Sequence, residues 1–164
     1  MTAAMVRAVA TRDSEVLVRV ADPIDVFSAR WAAQRIATAI GFASAARQEI
    51  AIVVSELATN ILKYGVRGDI AMHRVDDAAL GAGLELIAFD DGPPLTDLAM
   101  AIQDGCGDGG PIDPARQLGR GGIGSGLGAI IRLSDLFEYR PGPGRKAFRA
   151  VRFVRRPRRP GASP

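Results

Sequence analysis

Glu56, Asn60 and Lys63 place an acid, an amide and an amine within one short stretch, Ser55-Glu56-Leu57-Ala58-Thr59-Asn60-Ile61-Leu62-Lys63-Tyr64. Steps of four and then three residues put all three on one side of a helix, where they can meet a single ligand. Carboxylate and carboxamide oxygens suit a hard cation such as Mg2+, and an ammonium suits phosphate. A solvated helix face has the same composition, so the trio acquires meaning only from what accompanies it.

Two further stretches carry chemistry. In Phe89-Asp90-Asp91-Gly92-Pro93-Pro94 an acid sits at the end of an apolar run. A carboxylate at Asp90 can accept a hydrogen bond from an exocyclic amine such as that of adenine. Gly92 lets the backbone approach a flat base. An ordinary Asp-Gly-Pro turn is the simpler explanation when this stretch is taken alone. Gly121-Gly122-Ile123-Gly124-Ser125-Gly126-Leu127-Gly128 precedes the apolar run Ala129-Ile130-Ile131. Glycines that open a helix offer backbone N–H groups to an anion, assisted by the helix dipole. No Gly-Lys-Ser/Thr follows, so this is not the Walker-type loop. A flexible linker is the competing explanation, and the apolar helix that follows Leu127 argues against it.

The elements that must position these residues can be read from periodicity and punctuation. Residues 14–20 alternate as a first strand. Asp22 as N-cap and Pro23 at the first helical position open a helix that ends at Gly41, with Ala29, Ala33, Ile36 and Ile40 as its apolar stripe. Ser44 caps and Gly65 terminates a second helix, in which Ile50, Val54, Leu57 and Ile61 define the buried face. Glu49, Glu56, Asn60 and Lys63 occupy a neighbouring face; Glu49 is expected to be a solvated charge or a partner contact. Strands are expected at 69–75 and 84–89, a short helix at 96–102, a glycine-rich mobile loop over 104–126, a helix at 127–133, and a hairpin of 136–140 with 148–154. The order implies a two-layer α/β sandwich: a mixed, mainly antiparallel sheet with helices on one face.

Composition narrows the function classes. A chain of 164 residues can bury a full core, and with 5% aromatics the aliphatic residues must supply it. The net charge of +3 is concentrated in Arg155, Arg156, Arg158 and Arg159, which reads as a disordered solubilising tail. No basic stripe is interleaved with aromatics, so nucleic-acid binding is not expected. No apolar run approaches a membrane span, and the N-terminus does not read as a signal sequence, so a cytoplasmic setting is expected. Cys106 is the single cysteine and His73 the single histidine, which leaves no internal disulfide and no zinc-type ligand set.

Each motif is weak, but their order and spacing together resemble the GHKL ATPase superfamily, whose nucleotide-binding domain is the Bergerat fold. The closer resemblance is to small bacterial anti-sigma-factor and stressosome switch serine/threonine kinases. It is carried by 51–61 (Ala-Ile-Val-Val-Ser-Glu-Leu-Ala-Thr-Asn-Ile), 89–93 (Phe-Asp-Asp-Gly-Pro), 101–105 (Ala-Ile-Gln-Asp-Gly) and 126–137 (Gly-Leu-Gly-Ala-Ile-Ile-Arg-Leu-Ser-Asp-Leu-Phe). The resemblance implies a kinase domain over 14–154, an N-terminal extension over 1–13, an inserted flexible ATP lid over 106–121 and a basic tail over 155–164.

The resemblance also implies roles. Glu56 would be the catalytic base and Asn60 a Mg2+ ligand. Asp90 and Gly92 would hold adenine, and Gly124, Gly126, Leu127 and Gly128 would bind the phosphates. Lys63 would reach phosphate or cover the pocket rim. ATP and Mg2+ would be used, and a STAS-domain antagonist would be the protein substrate. A sigma factor or PP2C-type phosphatase would be a further partner, and a homodimer or larger assembly stays open. Pro94 stands where the family's second glycine is usual, and Arg145-Lys146-Ala147 where a threonine is often found. One alternative is a non-catalytic switch or anti-sigma protein whose partner affinity depends on ATP or ADP. Another is the detached ATPase domain of a histidine kinase, although His73 falls in an expected strand rather than on a phospho-acceptor helix.

Overall fold

The computed structural model describes residues 16–102, 106–107, 110–111 and 126–155. The expected N-terminal extension, most of the expected lid and the tail beyond Arg155 lie outside these residues. Strand β1 (Val16–Val20) leads into helix α1 (Pro23–Ile40) and helix α2 (Ser44–Tyr64). The hairpin of β2 (Gly68–Asp77) and β3 (Gly81–Asp90) follows, then helix α3 (Leu98–Ile102). The two-residue strands β4 (Cys106–Gly107) and β5 (Gly110–Pro111) pair with each other. Helix α4 (Gly126–Leu133) and the hairpin of β6 (Leu136–Arg140) and β7 (Lys146–Phe153) complete the order. The large sheet runs β1-β2-β3-β7-β6 with every neighbouring pair antiparallel, so the expected mixed sheet is wholly antiparallel.

Local chemistry accounts for the helix ends. The Asp25 carboxylate accepts the backbone N–H groups of Ala21 (2.8 Å) and Asp22 (2.9 Å), and these bonds hold its pKa below the usual carboxylate range. Asp22 occupies the N-cap position as expected. Gly41 takes the left-handed conformation (φ 100°), which lets its own N–H and that of Phe42 return to the Ala37 carbonyl. The stripe of α1 centres on Ala29, Ala33 and Ala37, all fully buried, with Ile36 and Ile40 packed at its margin. The N-cap of α2 is Ala43 rather than Ser44, because the Ala43 carbonyl already accepts the Arg47 N–H (3.0 Å) and Ser44 is the first helical residue.

The helices pack on the sheet face formed by Ile70, Met72, Leu84, Leu86, Ala88, Phe148 and Ala150. Ile50, Val54, Leu57 and Ile61 meet it from α2 as the periodicity requires. The opposite face carries ion pairs across strands: Arg19 with Asp69 (2.6 Å), His73 with Glu85, and Glu85 with Arg149. A small apolar cluster of Val75, Val151 and Phe153 accompanies them. Alternation along β7 sends Lys146, Phe148, Ala150 and Arg152 to the helix side, so two cations enter an otherwise apolar face.

Arg152 resolves this at one end of the strand. Its guanidinium reaches Glu49 on α2 (2.8 Å) and Asp135 before β6 (3.2 Å), and Asp135 also accepts the Phe153 N–H (2.8 Å). Glu49 is therefore the partner of a buried arginine rather than a solvated charge. Removing one member of a buried ion pair leaves the other uncompensated. Arg152→Met is expected to destabilise the protein by about 3 kcal/mol in urea unfolding, since two carboxylates lose the guanidinium they share. Glu49→Gln is expected to cost much less, because the Glu49 side chain is 31% exposed against 3% for Asp135.

Candidate functional site

Burial falls steadily along the polar face of α2. Glu56 is 3% exposed and already engaged within the structure, Asn60 is half-buried, and Lys63 is exposed in the last turn. Around Glu56 the helix is enclosed beyond its apolar stripe: Ala58 and Thr59 are buried as well. The carboxylate thus sits at the inner end of the trio, where charge interactions are strong, and the amine sits in water.

The helix stops at Gly65, which is extended (φ −91°, ψ 170°) and donates to the Ile61 carbonyl at 2.9 Å. A glycine is needed here for space rather than for a left-handed backbone. A Cβ would lie 2.6 Å from the Ile61 oxygen and 2.9 Å from Cγ of Asp90. The end of α2 therefore rests directly against the strand-end acid.

Asp90 is the last residue of β3, not the first residue beyond it, and it pairs in register with Lys146 at the start of β7. Both side chains turn toward the helices and are buried, with Nζ of Lys146 donating to Oδ1 of Asp90 at 2.7 Å. The Gly92 N–H donates to the same oxygen at 2.7 Å. A Cβ on Gly92 would lie 2.6 Å from that oxygen, 2.7 Å from the Tyr64 carbonyl and 2.8 Å from Nζ of Lys146. Gly92 is thus the point at which α2, β3 and β7 meet.

The neighbouring acid behaves differently. Asp91 points to the other side and pairs with Arg67 (3.4 Å) and Arg145 (3.4 Å), while Arg145 lies over the Phe89 ring at 4.2 Å. Of two adjacent carboxylates, only Asp90 enters the interior. The turn beyond is fixed by the Asp91 N–H on the Val66 carbonyl (2.8 Å) and the Leu95 N–H on the Tyr139 hydroxyl (2.8 Å). Pro94 is exposed within it.

Helix α4 packs against α2. It opens at Gly126, whose positive φ of 48° favours glycine, and Leu127 and Gly128 are buried in its first turn. First-turn N–H groups have no acceptor within their own helix, which suits a helix start to an anion. Gly124 lies outside the described residues. The structure thus brings Asp90 and Gly92 to the end of the helix bearing Glu56, Asn60 and Lys63, and it brings the helix bearing Gly126, Leu127 and Gly128 against that same helix.

Sequence reasoning missed Lys146 as the partner of Asp90, 56 residues away. The alternation Lys146, Phe148, Ala150, Arg152 was the available signal, because it places a lysine on the apolar phase of a strand. Among the described residues no cluster of three His, Cys, Asp or Glu side chains could cage a metal. None of the described helices is long and apolar enough to cross a membrane.

Residues 19–152 match the histidine kinase-like ATPase domain family. The serine/threonine-protein kinase RsbT of Bacillus subtilis is 32% identical over 121 residues, covering 74% of this chain and 82% of RsbT. The crystal structure of the RsbU and RsbW domains of a Mycobacterium tuberculosis protein superposes with a TM-score of 0.57 at 13% identity, over 90% of this chain. This chain spans 34% of that larger one, and the likeness concerns the fold.

The crowding at Gly92 yields a direct expectation. Gly92→Ala should cost about 1–3 kcal/mol in thermal or urea unfolding, because most of the neighbours that the new methyl meets cannot swing away. Two of the three are a backbone carbonyl and a carboxylate already held by two donors. A variant as stable as the wild type would show that the three elements do not meet this closely.

Proposed function

The chain belongs to the histidine kinase-like ATPase domain family, and on that footing we propose that it is an ATP-dependent serine/threonine protein kinase acting on a STAS-domain regulatory partner. The observation that carries this reading is Glu56: a buried carboxylate one helical turn from Asn60, on the helix whose end abuts Asp90. A carboxylate enclosed in this way is suited to taking a proton from an incoming hydroxyl. The similarity to RsbT, a serine/threonine-protein kinase, supports the acceptor class. The STAS partner rests on the sequence resemblance to switch kinases. A sigma factor or a PP2C-type phosphatase belongs to the same proposal, as does a cytoplasmic setting.

Position supports a division of labour. Asp90 accepts from the base at the strand end, and Gly92 allows the close approach. Gly126, Leu127 and Gly128, with Gly124 before them, offer N–H groups to the phosphates. Glu56 orients the serine or threonine hydroxyl and takes its proton as the oxygen bonds to the γ-phosphorus and the bond to the bridging oxygen of ADP breaks. Asn60 would hold the metal. The donor chemistry fits Mg2+, which takes few protein oxygens and completes its shell with phosphate and water. When bound, the ion neutralises charge developing on the phosphate oxygens. Lys63, exposed in the last turn of α2, is placed to cover the rim or to meet phosphate.

Two measurements test the proposal. ATP with Mg2+ at about a hundred times Kd should add about 2.7 kcal/mol and raise Tm by roughly 5–10 °C, and chelation should reverse most of the shift. Glu56→Gln should lower transfer of radiolabelled phosphate to a STAS protein by at least about a hundredfold while leaving ATP binding nearly unchanged. Undiminished transfer would remove Glu56 from the chemistry. A protein that binds ATP yet never consumes it, even with the STAS partner, would be a nucleotide-dependent switch rather than a kinase.

A further inference from the structure

The nucleotide reading leaves one buried group without a task. Lys146 is 3% exposed, and lysine is rarely buried so completely unless it is paired. Among the described residues its acceptor is a single oxygen, Oδ1 of Asp90, although an ammonium carries three donor hydrogens. That oxygen is doubly occupied, by Nζ at 2.7 Å and the Gly92 N–H at 2.7 Å, whereas Oδ2 takes part in neither bond. The two ends of the pair therefore keep unused capacity side by side: an acceptor on Asp90 and donors on Lys146. At the other end of β7, Arg152 spreads its charge over Glu49 and Asp135, so the same strand also contains a cation with two carboxylate partners.

A carboxylate alone selects adenine, because it accepts from the 6-amino group and repels the 6-oxo group of guanine. A carboxylate with an ammonium beside it no longer excludes guanine. Adenine would give its 6-amino hydrogen to Asp90 and take a hydrogen at N1 from Lys146. Guanine would give its N1 hydrogen to Asp90 and take one at O6 from Lys146. Building on the nucleotide-binding reading above, we propose that Lys146 is a specificity-determining residue of the base pocket, and that the Asp90–Lys146 pair accepts guanosine as well as adenosine triphosphate. The crowding at Gly92 holds both groups in place for this purpose, since a side chain there would displace either one.

The test compares ATP and GTP dissociation constants for the full-length protein by calorimetry, with Mg2+ present. The wild type should bind the two within about tenfold of one another, a difference of no more than one ordinary hydrogen bond. Lys146→Thr and Lys146→Met, each checked for a cooperative melt, should weaken GTP relative to ATP by about tenfold or more. A purely structural lysine would lower stability and shift both nucleotides together. The proposal is overturned if the wild type binds ATP but rejects GTP, or if folded variants leave the ratio within about threefold of wild type. Should neither variant fold, the wild-type ratio decides by itself. A wild type that binds neither nucleotide overturns the kinase reading, and the base assignment with it.

Discussion

The buried pair of Asp90 and Lys146 is the constraint around which the working end of the molecule is arranged. It joins the last residue of β3 to the first of β7 and lies against the end of α2. An ionised pair out of water is tolerable only with good geometry and additional hydrogen bonds. The Gly92 N–H supplies one such bond, and the glycines at 65 and 92 supply the room. A Cβ at either glycine would crowd the meeting point of α2 and Asp90. The electrostatic contact thus sits where the end of the helix bearing Glu56 and Asn60 meets the sheet, while the apolar stripe of that helix packs on the sheet face.

β7 contains a second cation of the same kind, and the contrast is informative. Arg152 and Lys146 bracket Phe148 and Ala150 on the helix-facing side, so the strand is apolar in the middle and ionic at both ends. Arg152 meets two carboxylates from two different elements and ties α2 to the segment before β6. A guanidinium can do this because its donors form a planar fork, whereas an ammonium is a compact point charge. The arginine end acts as a staple. The lysine end leaves hydrogen-bonding capacity unspent beside a strand terminus, as a ligand site requires. α2 contributes Glu49 to the staple and Glu56 with Asn60 to the proposed site, so one helix reaches both ends.

Much of this was legible in the sequence, for reasons of period and punctuation. The four-three-four spacing of Ile50, Val54, Leu57 and Ile61 named the buried face of α2, and Gly41 named the end of α1 through its left-handed cap. The acid at the strand end and the glycines opening α4 were visible as local patterns. Pairings between distant segments were not. The contacts of Asp90 with Lys146 and of Glu49 with Arg152 span 56 and 103 residues, and local periodicity carries no information about register at that distance. Small shifts also escaped. Ser44 is a good cap by composition, yet the Ala43 carbonyl had already begun the helix; Gly65 ends α2 as an extended residue because space, not handedness, selects it.

On the proposed reading, the placement of the site along α2 separates recognition from chemistry. Glu56 lies eight residues before Tyr64, whose carbonyl faces Gly92, and eight helical residues span about 12 Å. A nucleotide whose base rests at Asp90 must extend back along the helix for its phosphates to approach Glu56. The helix then acts as a ruler between the two ends. Groups at the base end alter which nucleotide is held and how tightly. Groups at the Glu56 end act on a charge that develops only during transfer, and only such interactions change the barrier. The proposed base end stands on β3 and β7 and the proposed chemical end on α2, so a change at Lys146 bears first on which nucleotide is held and only indirectly on Glu56.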